Sequence, residues 1–306
     1  MLDRKKQEAM EAQIADGLAQ EILCICVNYH NEQETARFVR GLLGQRCSNL
    51  LRVVIVDNSD GEGPRPAILE VANEDTRVRL MHPGKNLGYY GAASWAFEMV
   101  LAEGARLPDW VVVSNTDIFF SNRHVLCELF SLYPGKAPAV LAPRILSTRT
   151  GVDQNPQIRE RPSKARWRIY TWVFRYYPVF MGYQLLCLAK NWLLGFIEGR
   201  RFSGERGAKD EKGATMPIYA PHGSFVIFHR SFFEAGGDLK HGAFMFGETI
   251  TIAETLRRLG LKAVYDPRIS VLHEEHATTG LVKNRQIARM QWKASVHCFN
   301  QFFRTG

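Results

Sequence analysis

Two carboxylates stand directly after apolar, mostly β-branched runs. Val111 to Val113 leads into Ser114-Asn115-Thr116-Asp117, and Leu51 to Val56 leads into Asp57-Asn58-Ser59-Asp60-Gly61. Such runs read as strands buried on both faces, as in a parallel sheet. An aspartate just past the end of such a strand lies at the sheet's carboxyl edge, where loops and helix N-termini converge and ligands of open α/β sheets bind. There it can hold a divalent cation, and the cation can hold phosphate oxygens. Asp117 can equally cap a helix, here one expected to start near Ser121. The stretch alone supports both readings.

The elements that must position these acids follow in chain order. Glu21 to Val27 is a first buried strand ending in Asn28-Tyr29-His30-Asn31. Asn31 with Glu34 has the spacing of a capping box and opens a helix to about Leu43. Leu51 to Val56 is the second strand and Val78 to Met81 the third. Asn86 to Ser94 then leads into a helix to about Glu103, before the strand that ends at Ser114. Alternating strands and helices predict an α/β chain with right-handed parallel crossovers, so Asp57 and Asp117 share one edge and can face one ligand. Gly88 and Gly91 open a helix and allow close approach of backbone to a phosphate, but they do not form the dinucleotide fingerprint. Met216 to Ala220 and Gly223 to Phe228 resume the sheet. A short helix over Ser231 to Ala235 stops at Gly236-Gly237. A helix follows Phe246-Gly247, with Gly260 behind it. Lys262 to Tyr265 and Ile269 to Leu272 are two more short strands, and Lys283 to Phe303 is a closing helix.

With 306 residues, 46% apolar and 23% charged, the chain has ample material for a core. The net charge of +8 is concentrated in one place: residues 158–212 hold 12 Lys and Arg against 5 Asp and Glu, a net +7. The expected organisation is therefore a leading charged, periodic helix over residues 1–20, one half over 21–157, a basic, aromatic helical insertion over 158–215, and a second half over 216–306. Within the insertion, Ile169 to Ile197 is apolar and aromatic. Its longest uncharged run, Tyr176 to Ala189, has 14 residues, too few to span a hydrocarbon core of about 30 Å. Basic ends around aromatics fit a segment lying in an anionic membrane interface, or else an excursion packed on the domain or on a second subunit. Gly204 to Gly213 reads as a polar loop. The cysteines at 24, 26, 47, 127, 187 and 298 lack metal-site spacing and are expected to be reduced, buried thiols of a cytoplasmic protein.

The ordered series Val27-Asn28-Tyr29, Val53 to Ser59, Asn86 to Gly91, Ser114 to Asp117, Pro221 to Phe228, Phe246 to Thr249 and Val271 to His273 resembles the family 2 glycosyltransferases. The nearest subgroup is the rhamnosyltransferase-like enzymes of bacterial surface polysaccharide assembly. The resemblance covers roughly residues 21–280 apart from the basic segment. It implies a GT-A fold, a Rossmann-like, mostly parallel sheet flanked by helices, and a nucleotide-sugar site. Asp57 matches the acid that binds the base, beside Val27 and Tyr29. Asn86 and Gly88 match the loop over the nucleotide, and Asn115 and Asp117 the short acidic signature that holds Mg²⁺ or Mn²⁺. His273 matches a second metal ligand, and His222, Gly223 and Ser224 face the acceptor.

Sugar transfer to a hydroxyl needs a base. The family places it in an acidic pair that here reads Glu248-Thr249, so the second acid is missing. Glu248 is the expected base, with Glu254 as the alternative, although six residues along a helix is about 240° round it. The resemblance implies an inverting transferase using dTDP-rhamnose or a UDP-hexose. The expected acceptor is a saccharide or lipid-linked chain at the inner face of the cell membrane. Nucleic acid is not an expected partner. The rival readings are a sugar-phosphate nucleotidyltransferase, which usually needs a basic, Gly-rich loop after the first strand, and a degenerate nucleotide-sugar-binding protein, for which Thr249 is the argument.

Overall fold

The apolar runs assemble, in a computed structural model that describes residues 20–61, 65–186, 214–275 and 285–304, into one nine-stranded sheet. The expected leading helix, the Gly204–Gly213 loop and residues 187–197 of the apolar segment lie outside the described residues. The strands are β1 Ile22–Asn28, β2 Leu51–Asp57, β3 Val78–Met81, β4 Trp110–Ser114, β5 Ile118–Phe119, β6 Val140–Ser147, β7 Met216–Ile218, β8 Phe225–His229 and β9 Ala263–His273. Their spatial order is β3-β2-β1-β4-β8-β6-β9-β5, with β7 also on β9. β1 to β4 pair in parallel, β8 runs antiparallel to both β4 and β6, and β6 is parallel to β9.

Side chains alternate across this sheet, so each strand feeds two cores. Cys24, Cys26, Val53, Ile55 and Val112 face α1 (Glu32–Leu43) and α2 (Pro66–Glu74). Leu23, Ile25, Val54, Val111 and Val113 face α3 (Tyr89–Ala102). The crossover register sets Asn28 beside Asp57 and Cys26 beside Ser114, bringing the carboxyl ends of β1, β2 and β4 level.

Several local expectations are corrected. Asn31 occupies the N-cap of α1 without a side-chain cap; its amide donates instead to the Glu34 carboxylate. Asp117 caps no helix, because β5 follows it directly and α4 (Val125–Leu132) begins later, after His124. The two short strands expected between Lys262 and Leu272 are one strand, β9, whose pairing with β6 shifts register between Pro143 and Arg144. Cys47 and Cys127, expected as thiols, form a disulfide across 80 residues, with Cα atoms 5.4 Å apart. Sequence spacing cannot show that pairing, because the fold alone brings the end of α1 against α4. Cys24, Cys26 and Cys298 are free and buried.

The insertion begins as α5 (Lys164–Val173), capped by Ser163 Oγ accepting from the Arg166 N–H. Trp167 packs with Ile250 of α7 (Glu248–Arg258), Cys298 of α8 (Arg285–Cys298) and Phe303 in the π-helical turn that follows. Residues 177–186 are helical, and the short α6 (Arg230–Glu234) follows β8. Both ends of the insertion are fastened together: Ile158 and Ala220 form an antiparallel bridge.

Candidate active site

At the end of β2, Asp57 is fully buried. Its Oδ1 accepts from Asn28 Nδ2 at 2.9 Å, while Oδ2 has no hydrogen-bond partner. His82 Nδ1 donates to the Asp57 carbonyl oxygen at 2.7 Å and fixes the strand end from the other side. Beside it, Val27 is half-buried, and Tyr29 is exposed, with its hydroxyl donating to Asp60 at 3.1 Å.

Asn58, not singled out in the sequence, is the lock of the neighbouring loop. Its Nδ2 donates to Asn86 Oδ1 at 2.9 Å, and its Oδ1 accepts from the Leu87 N–H at 2.8 Å. Asn86 Oδ1 also accepts from the Gly88 N–H. Gly88, at φ 75°, caps α3; a Cβ there would stand 1.8 Å from the Phe244 carbonyl oxygen. Only glycine tolerates both the left-handed backbone and that approach. The signal for Asn58 was its place between an aspartate and a serine at a strand end, the composition of a side-chain-stabilised turn.

Past β4, Asp117 is buried with its Oδ1 free of any hydrogen-bond donor. His273, at the end of β9, is brought to it from the far side of the sheet: Nε2 lies 3.2 Å from that oxygen. The Asn115 N–H donates to Ser224 O at 2.7 Å, which ties the acidic signature to the segment before β8. There His222 Nδ1 stands 2.8 Å from Ser224 Oγ, and its ring packs edge-on to His273, with centroids 5.8 Å apart. Burial, reinforced by the neighbouring His273, pushes His222 down to about 4, so it is a neutral hydrogen-bonding group near pH 7. Gly223 completes this wall; a Cβ would meet Thr249 Cγ2 at 3.2 Å and Glu248 Cγ at 3.8 Å.

Glu248 is the first residue of α7, behind Gly247 at φ 85°. Burial raises its carboxyl above the ordinary range, and Oε2 has no partner. Tyr89, whose hydroxyl donates to Gly223 O at 3.1 Å, is held well above its ordinary pKa by burial, with neighbouring Tyr90, Glu248 and Asp117 adding to the effect. Thr249 is packed against Gly223. The alternative acid is otherwise engaged. Glu254 accepts from Arg161 at 2.6 Å, Tyr219 at 2.7 Å and Arg257 at 2.9 Å. Desolvation pushes its carboxyl up, but these donors prevail and hold it below the usual value. It ties α7 to Arg161, ahead of α5, and to Tyr219, and has no oxygen left for a substrate proton.

Residues 24–190, more than half of the chain, match the family described as Glycosyl transferase family 2. The chain belongs to glycosyl transferase family 2. No curated protein matches it. Among solved structures, this family 2 chain is similar to GalNAc-T7 crystallised with UDP, GalNAc and Mn²⁺. The identity is 13% and the TM-score 0.54, covering 95% of this chain and 56% of that one. A mannosyltransferase from Pyrobaculum calidifontis, PcManGT, solved with GDP-Man and Mn²⁺, is 13% identical with a TM-score of 0.49, covering 94% of this chain and 76% of that one. The sheet and its flanking helices are those of the GT-A fold. The chain spans little more than half the length of GalNAc-T7.

A divalent cation fits two donors here, the free Asp117 Oδ1 and His273 Nε2. Among the described residues no group of three or more His, Cys, Asp and Glu is placed to hold an ion. A carboxylate with an imidazole suits a hard cation whose remaining coordination comes from water and substrate phosphate.

Proposed function

We propose that this chain transfers a sugar, with inversion, from a nucleoside diphosphate sugar to a hydroxyl of a saccharide or lipid-linked acceptor in surface polysaccharide synthesis. One observation carries the reading. Among the described residues, the buried carboxylate oxygens without hydrogen-bond partners belong to Glu32, Asp57, Asp117 and Glu248. All four residues sit at strand ends or helix starts along the carboxyl edge of the sheet. An unpartnered buried oxygen is costly, so a cluster of them marks where a ligand supplies the missing partners.

Asp57 Oδ2 accepts an N–H of the base, with Val27 and Tyr29 beside it, and the Asn86–Gly88 loop covers the nucleotide. Asp117 and His273 hold Mg²⁺ or Mn²⁺, with Asn115 setting the turn that carries Asp117. The cation supplies neutralisation of the charge on the leaving diphosphate. Glu248 takes the acceptor proton: its raised pKa strengthens it as a base, and its side chain packs beside Gly223. Neutral His222 orients acceptor hydroxyls. A single displacement needs one base, so Thr249 in place of a second acid is compatible with turnover. The resemblance of the motif series favours dTDP-rhamnose as donor, then a UDP-hexose; the complexes with GDP-Man and with UDP make those nucleotides part of the same screen. Titration calorimetry with UDP, dTDP and GDP, with and without Mn²⁺, should show metal-dependent binding of one of them, and the matching sugar donor should turn over. Binding without turnover of any donor would leave a degenerate binding protein.

The same reading includes contact with an anionic membrane at its cytoplasmic face. Ile169, Trp172 and Tyr176 are exposed at helical spacing beside Arg168 and Arg175, and Leu185 and Leu186 are exposed further on. Among the described residues no helix is long and apolar enough to cross a membrane. Basic and aromatic side chains together suit the headgroup layer, each Lys or Arg contributing about 1 kcal/mol near an anionic surface. Flotation should show binding to phosphatidylglycerol vesicles that fades as salt rises. Equal binding to neutral vesicles, or none, would remove the membrane from this reading.

A further inference from the structure

One nitrogen of His273 lies at Asp117, and the other is held from behind. His273 Nδ1 is 2.7 Å from Gln154 Oε1. The orientation of that amide follows from its other end, where Gln154 Nε2 donates to the Glu275 carboxylate. A carboxylate only accepts, so the amide nitrogen belongs on Glu275 and the amide oxygen on the ring. An amide oxygen also only accepts. His273 Nδ1 therefore carries the hydrogen, and in the neutral ring Nε2 keeps its lone pair. That lone pair is 3.2 Å from Asp117 Oδ1, itself without a donor. A cation between these two electron-pair donors joins them.

The backbone around Gln154 is arranged to keep the amide in place. After Ser147 the chain reverses: the Ser147 N–H donates to Val152 O at 3.0 Å, and the Gln154 N–H to Ile145 O at 2.8 Å. Ser147 pairs with His273 across β6 and β9, so the reversal sets Gln154 alongside the ring. Glu275, two residues beyond His273, holds φ 52°, a left-handed backbone uncommon outside glycine. Arg149, from the same reversal, stands 3.4 Å from its second oxygen.

We infer that Gln154, itself held by Glu275, is a positioning residue that fixes the His273 tautomer with Nε2 free to take a divalent cation. The inference rests on the proposed metal site, and it adds a residue that touches neither substrate nor ion. Partners of this kind orient an imidazole and raise its basicity, and their loss typically weakens metal binding about 10–100-fold.

Two readouts on the full chain test it. In long-range ¹H–¹⁵N spectra of metal-free protein, recorded at a pH where the ring is neutral and with the His273 signals assigned by His273→Asn, the wild type should show a protonated Nδ1 and a bare Nε2. Gln154→Leu should move the hydrogen to Nε2, a change that a merely structural role would not produce. Manganese uptake, read from the loss of free Mn²⁺ signal in electron paramagnetic resonance with UDP, dTDP or GDP present, should weaken about 10–100-fold in Gln154→Leu. The pair Gln154→Glu with Glu275→Gln exchanges the two partners, keeps an acceptor on Nδ1, and should restore both readouts, including if Gln154→Leu fails to fold. An unchanged tautomer, or equal Mn²⁺ uptake by wild type and Gln154→Leu, overturns the inference alone. No Mn²⁺ uptake by the wild type overturns the metal site and the inference with it.

Discussion

The carboxyl edge of the sheet and the flank where α5, α7 and α8 meet treat buried acids in opposite ways. At the flank, Glu254 has Arg161, Tyr219 and Arg257 around it. Among the acids set away from that edge, Asp266 is similarly closed by Tyr133 and Arg268. At the edge, Asp57, Asp117 and Glu248 each keep an oxygen that nothing in the described protein satisfies. Glu248 and Glu254 are the same residue type on the same helix, and their neighbours set them apart. A buried acid with every lone pair engaged holds structure together, and one with a lone pair left over is available to a substrate or an ion.

Substitutions at the two regions should therefore break different things. Asp117→Asn keeps the shape and removes the charge a cation needs. Metal-dependent turnover should fall about 10³-fold or more, with an unchanged melting curve. Near-normal turnover in that variant would sink the metal reading. Glu248→Gln should lower kcat about 10²–10⁴-fold and leave nucleotide affinity nearly untouched. The acid limb of the wild-type pH profile should lie above the ordinary carboxylate range and disappear in the variant. Glu248 also carries a stability signature. Its folded pKa is raised above its unfolded value, so the stability tied to its proton is present at low pH and is lost as pH rises through the raised value. Glu248→Gln should thus melt higher than wild type at pH 7 and alike near pH 4. Glu254→Gln should do the reverse of Glu248→Gln: stability lower by about 1–3 kcal/mol, kcat of the folded enzyme unchanged. If instead Glu254→Gln cripples turnover while Glu248→Gln is mild, the contrast between the two regions fails.

The carboxyl edge was legible because its elements are continuous apolar runs that end in acids, a pattern that survives without knowledge of the fold. The GT-A sheet follows from the same runs. β6 was not legible: Pro143 and Arg144 interrupt it at the register shift, where it leaves one part of β9 and joins another. α2 was missed as well, since Arg65 precedes it without a capping side chain and only Pro66 marks its start. Glu248 and Glu254 could be told apart in sequence only by a helical angle, whereas two of the donors that close Glu254, Arg161 and Tyr219, come from far along the chain. Gln154 and the Cys47–Cys127 pair were invisible for the same reason. Their meaning lies in contacts between segments that no local period connects.

The bridge between Ile158 and Ala220 has a consequence for how such a chain can diversify. The Tyr219 N–H donates to Arg159 O at 3.0 Å and the Ala220 N–H to Ile158 O at 3.0 Å, so the insertion leaves and re-enters the sheet domain through a single doorway. Closing a flexible loop costs only about 0.6 kcal/mol more for each doubling of its length. Chain length between the two sides of that doorway can change at this small closure cost, while packed Trp167 of α5 and the strand ends bearing Asp57 and Asp117 stay where they are. Specificity for what the enzyme touches outside its donor can then evolve as an interchangeable module on a fixed catalytic chassis.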